Sequence, residues 1–369
     1  EFVWGGVVES LVPVMMEDSH PPVRASAISA IAMVPHTIPG ASACVEHVWA
    51  SAKPGDPSDM PLRGASLRAL GVLAHEEPYK HDAQVLIRMA GALDLCSRDP
   101  SLQVRMRAAC SLASLCENTT IVDEGRRSEY VRHHAGLTLL RLSELSLRLM
   151  SDNDKVRVYG TRALGNLCHP SEYVTFVSAS TSEAAAYQLC GRVESELCRF
   201  IDSPSYSVKV RWNACHAAGL LLSNPLASSP TPPWGKRLIG ALERTGTEAE
   251  NFKVRIQATR SIRYAPQRSV HVQQGSTEGE DAEALVARWR GMIGAAMGEV
   301  PGLDSSQYKY KGTLRAEQRL CVLTLTSFLL PSDFKALPSL EESLGVCECL
   351  RHASDAAQAD PPLLSRAAR

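Results

Sequence analysis

One short pattern recurs six times along the 369-residue chain and constrains its fold more than any other feature. Each copy has a branched aliphatic residue at position i, arginine at i+1, a small residue at i+4 and an apolar residue at i+8; the copies begin at Val23, Leu62, Val104, Val156, Val210 and Val254. Positions i, i+4, i+7 and i+8 lie on one face of an α-helix, and a small residue at i+4 lets another helix approach closely. Because the copies are aligned on the aliphatic–arginine pair, the matches at i+4 and i+8 are the independent evidence.

The copies are spaced by 39, 42, 52, 54 and 44 residues, which is the period of HEAT and armadillo repeats. A second helical pattern precedes each copy, and the connections carry proline and N-capping residues, as in Ser97-Arg98-Asp99-Pro100 and Asp152-Asn153-Asp154. No stretch alternates with the period of two that strands require. The sequence therefore predicts an all-α fold, a right-handed α-solenoid of about seven HEAT-type helix pairs.

The repeats predict one solenoid over residues 1–352 rather than several separate domains. Its helix pairs are expected near 1–36, 40–75, 79–117, 128–169, 183–224, 233–266 and 281–331, with a final helix at 334–350. Residues 353–369 read as a polar, disordered tail. The first residue is Glu1 rather than Met, which predicts that the sequence is a piece of a longer chain.

Several segments resemble known repeat proteins. Asp152–Leu167 resembles the second helix of a HEAT repeat. Three downstream segments resemble, in their order and spacing, the C-terminal half of the HEAT repeat-containing protein 6 family. They are Lys209–Ala217 with Asn224-Pro225, Pro233-Trp234, and Asn251–Ile256. The resemblance covers roughly residues 152–330. The resemblance implies an α-solenoid scaffold without enzymatic activity, and it supplies no catalytic residue.

Composition narrows the class of partner. Lys and Arg number 39 against 40 Asp and Glu, so the chain lacks the basic excess of a nucleic-acid-binding domain and no nucleic acid is expected. The longest apolar run, Leu320–Leu330, is about half of a bilayer span, so no membrane insertion is expected. The 11 cysteines are odd in number and lie mostly in apolar helical patterns, so we expect reduced core thiols and an intracellular protein, cytoplasmic or nuclear or both.

The side of each second helix opposite its apolar face is expected to line the concave surface of the solenoid, where such folds usually bind. Apolar residues at i+2 grow in size along the chain, beside a broken row of basic residues at i+6. We predict that a protein partner, a helix or an acidic and apolar peptide, docks at Arg68, Met106, Val158, Arg162, Trp212, His216, Ile256 and Arg260. The alternative is that other segments cover these residues or that they pack between neighbouring second helices.

The arginines at i+1 lie on the flank of each helix, toward the next repeat. An acidic residue precedes i by two to five places in five copies: Asp18, Asp59, Asp99, Asp154 and Glu250. We therefore expect an inter-repeat arginine–aspartate ladder, rather than a phosphate-binding row, formed by Arg24, Arg63, Arg105, Arg157, Arg211 and Arg255.

The motifs of the sequence bear on two alternatives, an enzyme and a transport or regulatory adaptor. Deoxyhypusine hydroxylase, a HEAT-like enzyme, builds a di-iron site from repeated His-Glu pairs, whereas here only His75-Glu76 occurs; no nucleotide-binding or hydrolase motif is present either. No catalytic residue, cofactor or metal is expected. Two classes remain: an interaction scaffold, or an importin-like or phosphatase-scaffold-like adaptor. An importin-type groove has regularly spaced Trp and Asn, and only Trp212-Asn213 fits, which favours the scaffold.

Overall fold

The computed structural model describes residues 2–34, 41–52, 59–76, 79, 82–118, 141–168, 183–223, 234–264, 312–314 and 317. Over these residues the fold is all-α, with helices joined by turns and no β-strand. The helices are α1 (Phe2–Glu17), α2 (Pro21–Ile31), α3 (Ala41–Ala52), α4 (Met60–Leu73), α5 (Ala83–Cys96), α6 (Leu102–Asn118), α7 (141–149), α8 (Asp154–Leu167), α9 (Glu183–Asp202), α10 (Val208–Leu222), α11 (Trp234–Glu248) and α12 (Phe252–Ile262).

The chain divides into two compact units, Glu1–Ala186 (unit 1) and Tyr187–Arg369 (unit 2). In unit 1, α1 packs on α2, α3 on α4 and α5 on α6, while the second helices α2, α4, α6 and α8 stack on one another in order. In unit 2, α11 packs on α12 and α10 stacks on α12. This stacking of helix pairs is the α-solenoid architecture predicted from the repeat.

Parts of the predicted domain plan lie outside the described residues. They include the final helix at 334–350, the tail at 353–369, and the seventh pair at 281–331 apart from residues 312–314 and 317. The single array over 1–352 remains a prediction.

Three of the second helices, α8, α10 and α12, begin at a capping residue. Asn153, Ser207 and Asn251 each stand three residues before position i, and each side chain accepts a backbone N–H of the first helical turn. Such caps satisfy amide groups that have no partner inside the helix. The cap therefore fixes the register in which the next apolar face enters the core.

Small residues set the distances between helices. A Cβ on Gly160, at i+4 of α8, would lie 3.0 Å from Leu149 Cβ and 3.1 Å from the backbone nitrogen of Met150, so α8 approaches the end of α7 as closely as the sequence predicted. Between second helices, a Cβ on Gly71 would lie 2.9 Å from Ser111 Oγ, and that hydroxyl donates to the Leu67 carbonyl at 2.6 Å. This second approach uses position i+9, which the repeat pattern did not single out.

Three of the i+1 arginines in unit 1 contact an aspartate that precedes the next second helix. The pairs are Arg24 Nη2 to Asp59 Oδ1 at 3.3 Å, Arg63 Nε to Asp99 Oδ2 at 3.1 Å, and Arg105 Nε to Asp152 Oδ2 at 2.7 Å. The Arg63–Asp99 pair is the most deeply placed, with 4% and 1% of the two side chains exposed. These contacts join consecutive repeats.

The other i+1 arginines correct the predicted ladder. Asp154 pairs with Arg157 in its own helix rather than with Arg105. In unit 2, Arg211 donates to the Ile201 carbonyl at 3.0 Å and 3.2 Å, and Arg255 donates to the carbonyls of Gly246 and Thr247 at 3.3 Å and 2.5 Å. The last carbonyls of the preceding helix lack helical partners, and a guanidinium at the start of the second helix reaches them.

Four cysteines of the described residues are core side chains, while Cys110 and Cys198 are half-buried. Cys96, Cys116, Cys168 and Cys215 are buried free thiols. Burial raises the pKa of Cys96 to about 11 and that of Cys215 to about 12. Because the thiolate is the reactive form, these thiols are unreactive in the folded protein.

Candidate partner-binding surface

In unit 1, the predicted partner-binding residues are only partly accessible. Met106 and Val158 are half-buried, so their apolar surface is shared between the helix stack and solvent, while Arg68 and Arg162 are exposed. Arg162 Nη2 lies 3.1 Å from Glu117 Oε2, which neutralises its charge within the unit. Unit 1 thus offers a shallow face with one ion pair.

In unit 2, α10 carries Trp212, an exposed apolar residue of the predicted face, and Val208, an exposed apolar residue that was not predicted. Trp212 is 37% exposed and Val208, one turn earlier, is 40% exposed. The Trp212 indole stacks on the His216 imidazole, with ring centroids 5.8 Å apart and an interplanar angle of 24°. We call Val208, Trp212 and His216 the Trp212 surface.

The Trp212 surface is supported by the next second helix. Gln257 of α12 is buried, and its Nε2 lies 3.5 Å from His216 Nδ1 and donates to Ser261 Oγ at 3.3 Å. A ring held by stacking and by a buried amide loses little rotational freedom when a ligand binds. His216 therefore acts as a fixed platform beneath the indole.

Ile256 does not belong to an exposed row. It is 8% exposed and packs against Phe252 and Leu314. Leu314 is 58 positions downstream, so a segment distant in sequence covers the position that the helical wheel assigned to the open face. The predicted apolar row accordingly ends at Trp212 in unit 2.

Arg260 is also engaged by this distant segment. Its Nε and Nη2 donate to Glu317 Oε1 at 3.1 Å and 2.6 Å, and Glu317 Oε2 lies 3.3 Å from Arg263 Nη2. The Glu317 side chain is only 5% exposed. The predicted basic residue at this position is consequently engaged in an ion pair with Glu317.

The electrostatics of the Trp212 surface come from lysines at position i−1. Lys209 precedes Trp212 by three residues, which places both on the same side of α10, and it is exposed. Lys253 occupies the same position in α12 and is exposed too. Lys209 therefore places a positive charge beside Trp212, at a position other than the predicted i+2 and i+6. Val208 lies at the cleft that also holds Asp202, Glu248 and Glu250.

Asn213 bears on the importin-like alternative. Its Nδ2 donates to the Lys209 carbonyl of its own helix at 2.7 Å. This contact engages one of the two N–H donors of the amide with the backbone of its own helix. Trp212 is exposed and Asn213 is half-buried, so the pair contributes chiefly its indole to the surface.

A cleft lies in unit 2 where the predicted ladder would have paired Arg211 with Glu250. Arg211 and Glu250, the expected ladder partners, both line a cavity of about 550 Å³ between the α9–α10 and α11–α12 turns, together with Asp202, Tyr206 and Arg244. Arg244 Nη2 lies 3.0 Å from both carboxylate oxygens of Asp202. Within this cleft, Arg244 and Asp202 pair with each other and Arg211 donates to the Ile201 carbonyl.

Comparison with known proteins gives limited sequence similarity. No family model matches the chain. An uncharacterized protein of Dictyostelium discoideum is 30% identical over 106 residues, which is 28% of this chain and 7% of that protein. The chain therefore spans a small part of that relative.

Solved structures resemble the fold. A Kap121p mutant matches with a TM-score of 0.51 at 12% identity, over 99% of this chain and 44% of that one. A designed armadillo repeat protein matches with a TM-score of 0.44 at 15% identity, over 71% of this chain and 100% of that one. The chain has the armadillo/HEAT α-solenoid fold.

Within the described part of the chain, the helices are too short or too polar to cross a membrane.

Proposed function

We propose that this chain is a non-enzymatic protein-interaction scaffold of the HEAT repeat-containing protein 6 type, and that a protein partner docks on the exposed face of its second helices. The observation that supports this most is the exposed Trp212 on α10, stacked on His216. An indole is costly to leave in water, and tryptophan is among the residues that dominate binding energy at interfaces.

The chemistry of the surface favours one kind of occupant, an acidic and apolar helix of a partner protein. Val208, Trp212 and His216 are four residues apart along α10, so the Trp212 surface extends about 12 Å, the length of two helical turns. Apolar side chains of the partner would cover Trp212 and Val208. Its carboxylates would lie near Lys209 and Lys253, which fixes orientation and raises the rate of association.

The test is affinity purification of the chain from cell extract, with quantitative comparison of wild type against Trp212→Ala combined with Arg162→Glu. We expect at least one protein to be lost by about tenfold or more, because truncation of a tryptophan anchor costs at least 2 kcal/mol. Met33→Ala is the matched control, since Met33 is an exposed apolar side chain in unit 1 that is not among the predicted docking residues.

A partner recovered with the wild type should then bind the purified chain directly, and Lys209→Glu should weaken that binding. If every protein captured by the wild type is captured equally by the double variant, the second-helix face is not the docking surface.

A further inference from the structure

A cluster of arginines on the first helices of unit 1 is not explained by the proposed function. Asp94 of α5 lies within reach of three guanidinium groups: Arg148 Nη2 contacts its Oδ1, Arg98 Nη2 is 3.4 Å from Oδ1, and Arg141 Nη2 is 3.7 Å from Oδ2. Arg148 Nη2 also donates to Ser97 Oγ at 2.6 Å. We call Asp94, Arg98, Arg141 and Arg148 the Asp94 cluster.

The Asp94 cluster carries more positive charge than the Asp94 carboxylate neutralises. Arg148 alone pairs closely with Asp94 and ties α7 to α5, whereas Arg98 and Arg141 lie at longer distances with 66% and 48% of their side chains exposed. Glu144 lies on the same side of α7 and offsets one charge. Three positive and two negative side chains leave one net positive charge, and guanidinium donors that face solvent.

The surface next to the cluster is open and apolar. Gly91 carries no side chain, and a Cβ there would lie 3.8 Å from Arg141 Nη2, so the guanidinium extends over bare backbone of α5. Leu95, four residues further along α5, is 55% exposed. Gly91 and Leu95, four residues apart, lie on one side of α5, and Arg98 follows in the turn after the helix ends at Cys96.

We propose that the Asp94 cluster binds the phosphate of a phosphorylated serine or threonine in a partner peptide, and that Leu95 contacts an apolar residue next to it. A phosphomonoester carries about −1.5 to −2 charge and three acceptor oxygens, and planar guanidinium forks bind such oxygens in pairs. Arg98 and Arg141 would swing onto the phosphate while Arg148 keeps its contact with Asp94.

A single phosphorylated side chain fits the cluster better than a nucleic acid does. Nucleic acids need positive charge spread over several phosphates, while this chain has a net charge of −1 and the cluster is compact. The adjacent Leu95 offers an apolar contact to a peptide side chain. The site is on first helices in unit 1 and does not depend on the Trp212 surface.

The experiment measures fluorescence anisotropy of the full chain with a labelled Ala-Gly-phosphoserine-Leu-Ala peptide and with its unphosphorylated form. We expect the phosphopeptide to bind about tenfold more tightly or better, since hydrogen bonds to charged groups contribute about 1.5–3 kcal/mol. The double variant Arg98→Gln/Arg141→Gln should lose this preference for the phosphopeptide. Leu95→Ser should weaken binding of the phosphopeptide but not of the unphosphorylated peptide.

Two controls separate the outcomes. Arg88→Gln removes an exposed arginine of α5 that pairs with Glu46, and it should leave binding unchanged. Circular dichroism verifies that the variants fold, and Arg148 is left intact because it joins two helices. The proposal is overturned by equal binding of the two peptides, by unchanged binding to the double variant, or by tighter binding of a ten-residue oligothymidylate than of the phosphopeptide.

Discussion

The buried Arg63–Asp99 pair allows a quantitative test of the arginine ladder. Its side chains are 4% and 1% exposed, whereas those of the Arg24–Asp59 pair, at the equivalent position one repeat earlier, are 23% and 36% exposed. Asp99→Asn removes the charge but keeps the shape and the oxygen that accepts the Ser101 N–H at 2.8 Å. The amide nitrogen then replaces the Oδ2 that accepts from Arg63 Nε, so the substitution removes both the counter-charge of Arg63 and this acceptor.

Asp99→Asn would leave the Arg63 guanidinium buried without its counter-charge. Breaking a buried pair by removing one partner costs about 3–5 kcal/mol, while an accessible pair contributes at most about 1 kcal/mol. We expect Asp99→Asn to destabilise unit 1 by about 3 kcal/mol and Asp59→Asn by less than about 1 kcal/mol. In a body of this size, the first corresponds to a decrease in Tm of roughly 6–12 °C.

The assay combines urea unfolding of the full chain with hydrogen exchange of peptides from α4 and α6. Local exchange is needed because repeat arrays can unfold in parts, and a single global free energy then has no clear meaning. Adding Arg63→Met to Asp99→Asn should restore much of the lost stability by removing the unpaired charge. Equal losses for Asp99→Asn and Asp59→Asn, or no recovery in the double variant, would refute the reasoning.

Two further predictions concern a close helix contact and a buried carboxyl. Gly71→Ala should destabilise unit 1 by about 1–3 kcal/mol in thermal unfolding, because the new Cβ would lie 2.9 Å from Ser111 Oγ and 3.1 Å from its Cα; Gly191→Ala, with open space around it, should be neutral or stabilise by up to about 1 kcal/mol. Burial raises the pKa of Glu194 from 4.5 to about 7 despite its contact with the mostly exposed Arg237. The folded state then holds the proton more tightly than the unfolded state, so unit 2 should lose stability as pH rises from about 4.5 to about 7, and Glu194→Gln should flatten this dependence. An unchanged pH profile in the variant would show that the Glu194 carboxyl is ionised in the fold.

The sequence predicted those features of the fold that depend on neighbours within one repeat. Gly160 at i+4 approaches the end of α7, and Asn153 caps the helix that follows it. Helical periodicity and capping act over one or two turns, so a single copy of the repeat contains the information.

The predicted site departed from the structure where contacts come from distant segments. Ile256 satisfies the helical-wheel criterion for the open face, but Leu314 covers it. Arg211 has the same local sequence setting as Arg105, yet it contacts the Ile201 carbonyl rather than an acid of the next repeat. Neither partner can be read from spacing, because loop lengths between helices decide which group comes within reach.

The arginines at i+1 have a consequence for how such a chain can grow. Arg24 and Arg105 donate to the carbonyls of Asp18 and Asp99, in the turns that precede their helices, while they also contact an aspartate of the following repeat. A repeat of this kind in unit 1 brings its own internal closure and one acceptor for its predecessor. Duplicating such a repeat would present the new junction with the same pair of groups, so this part of the array could lengthen without compensating substitutions at the boundary.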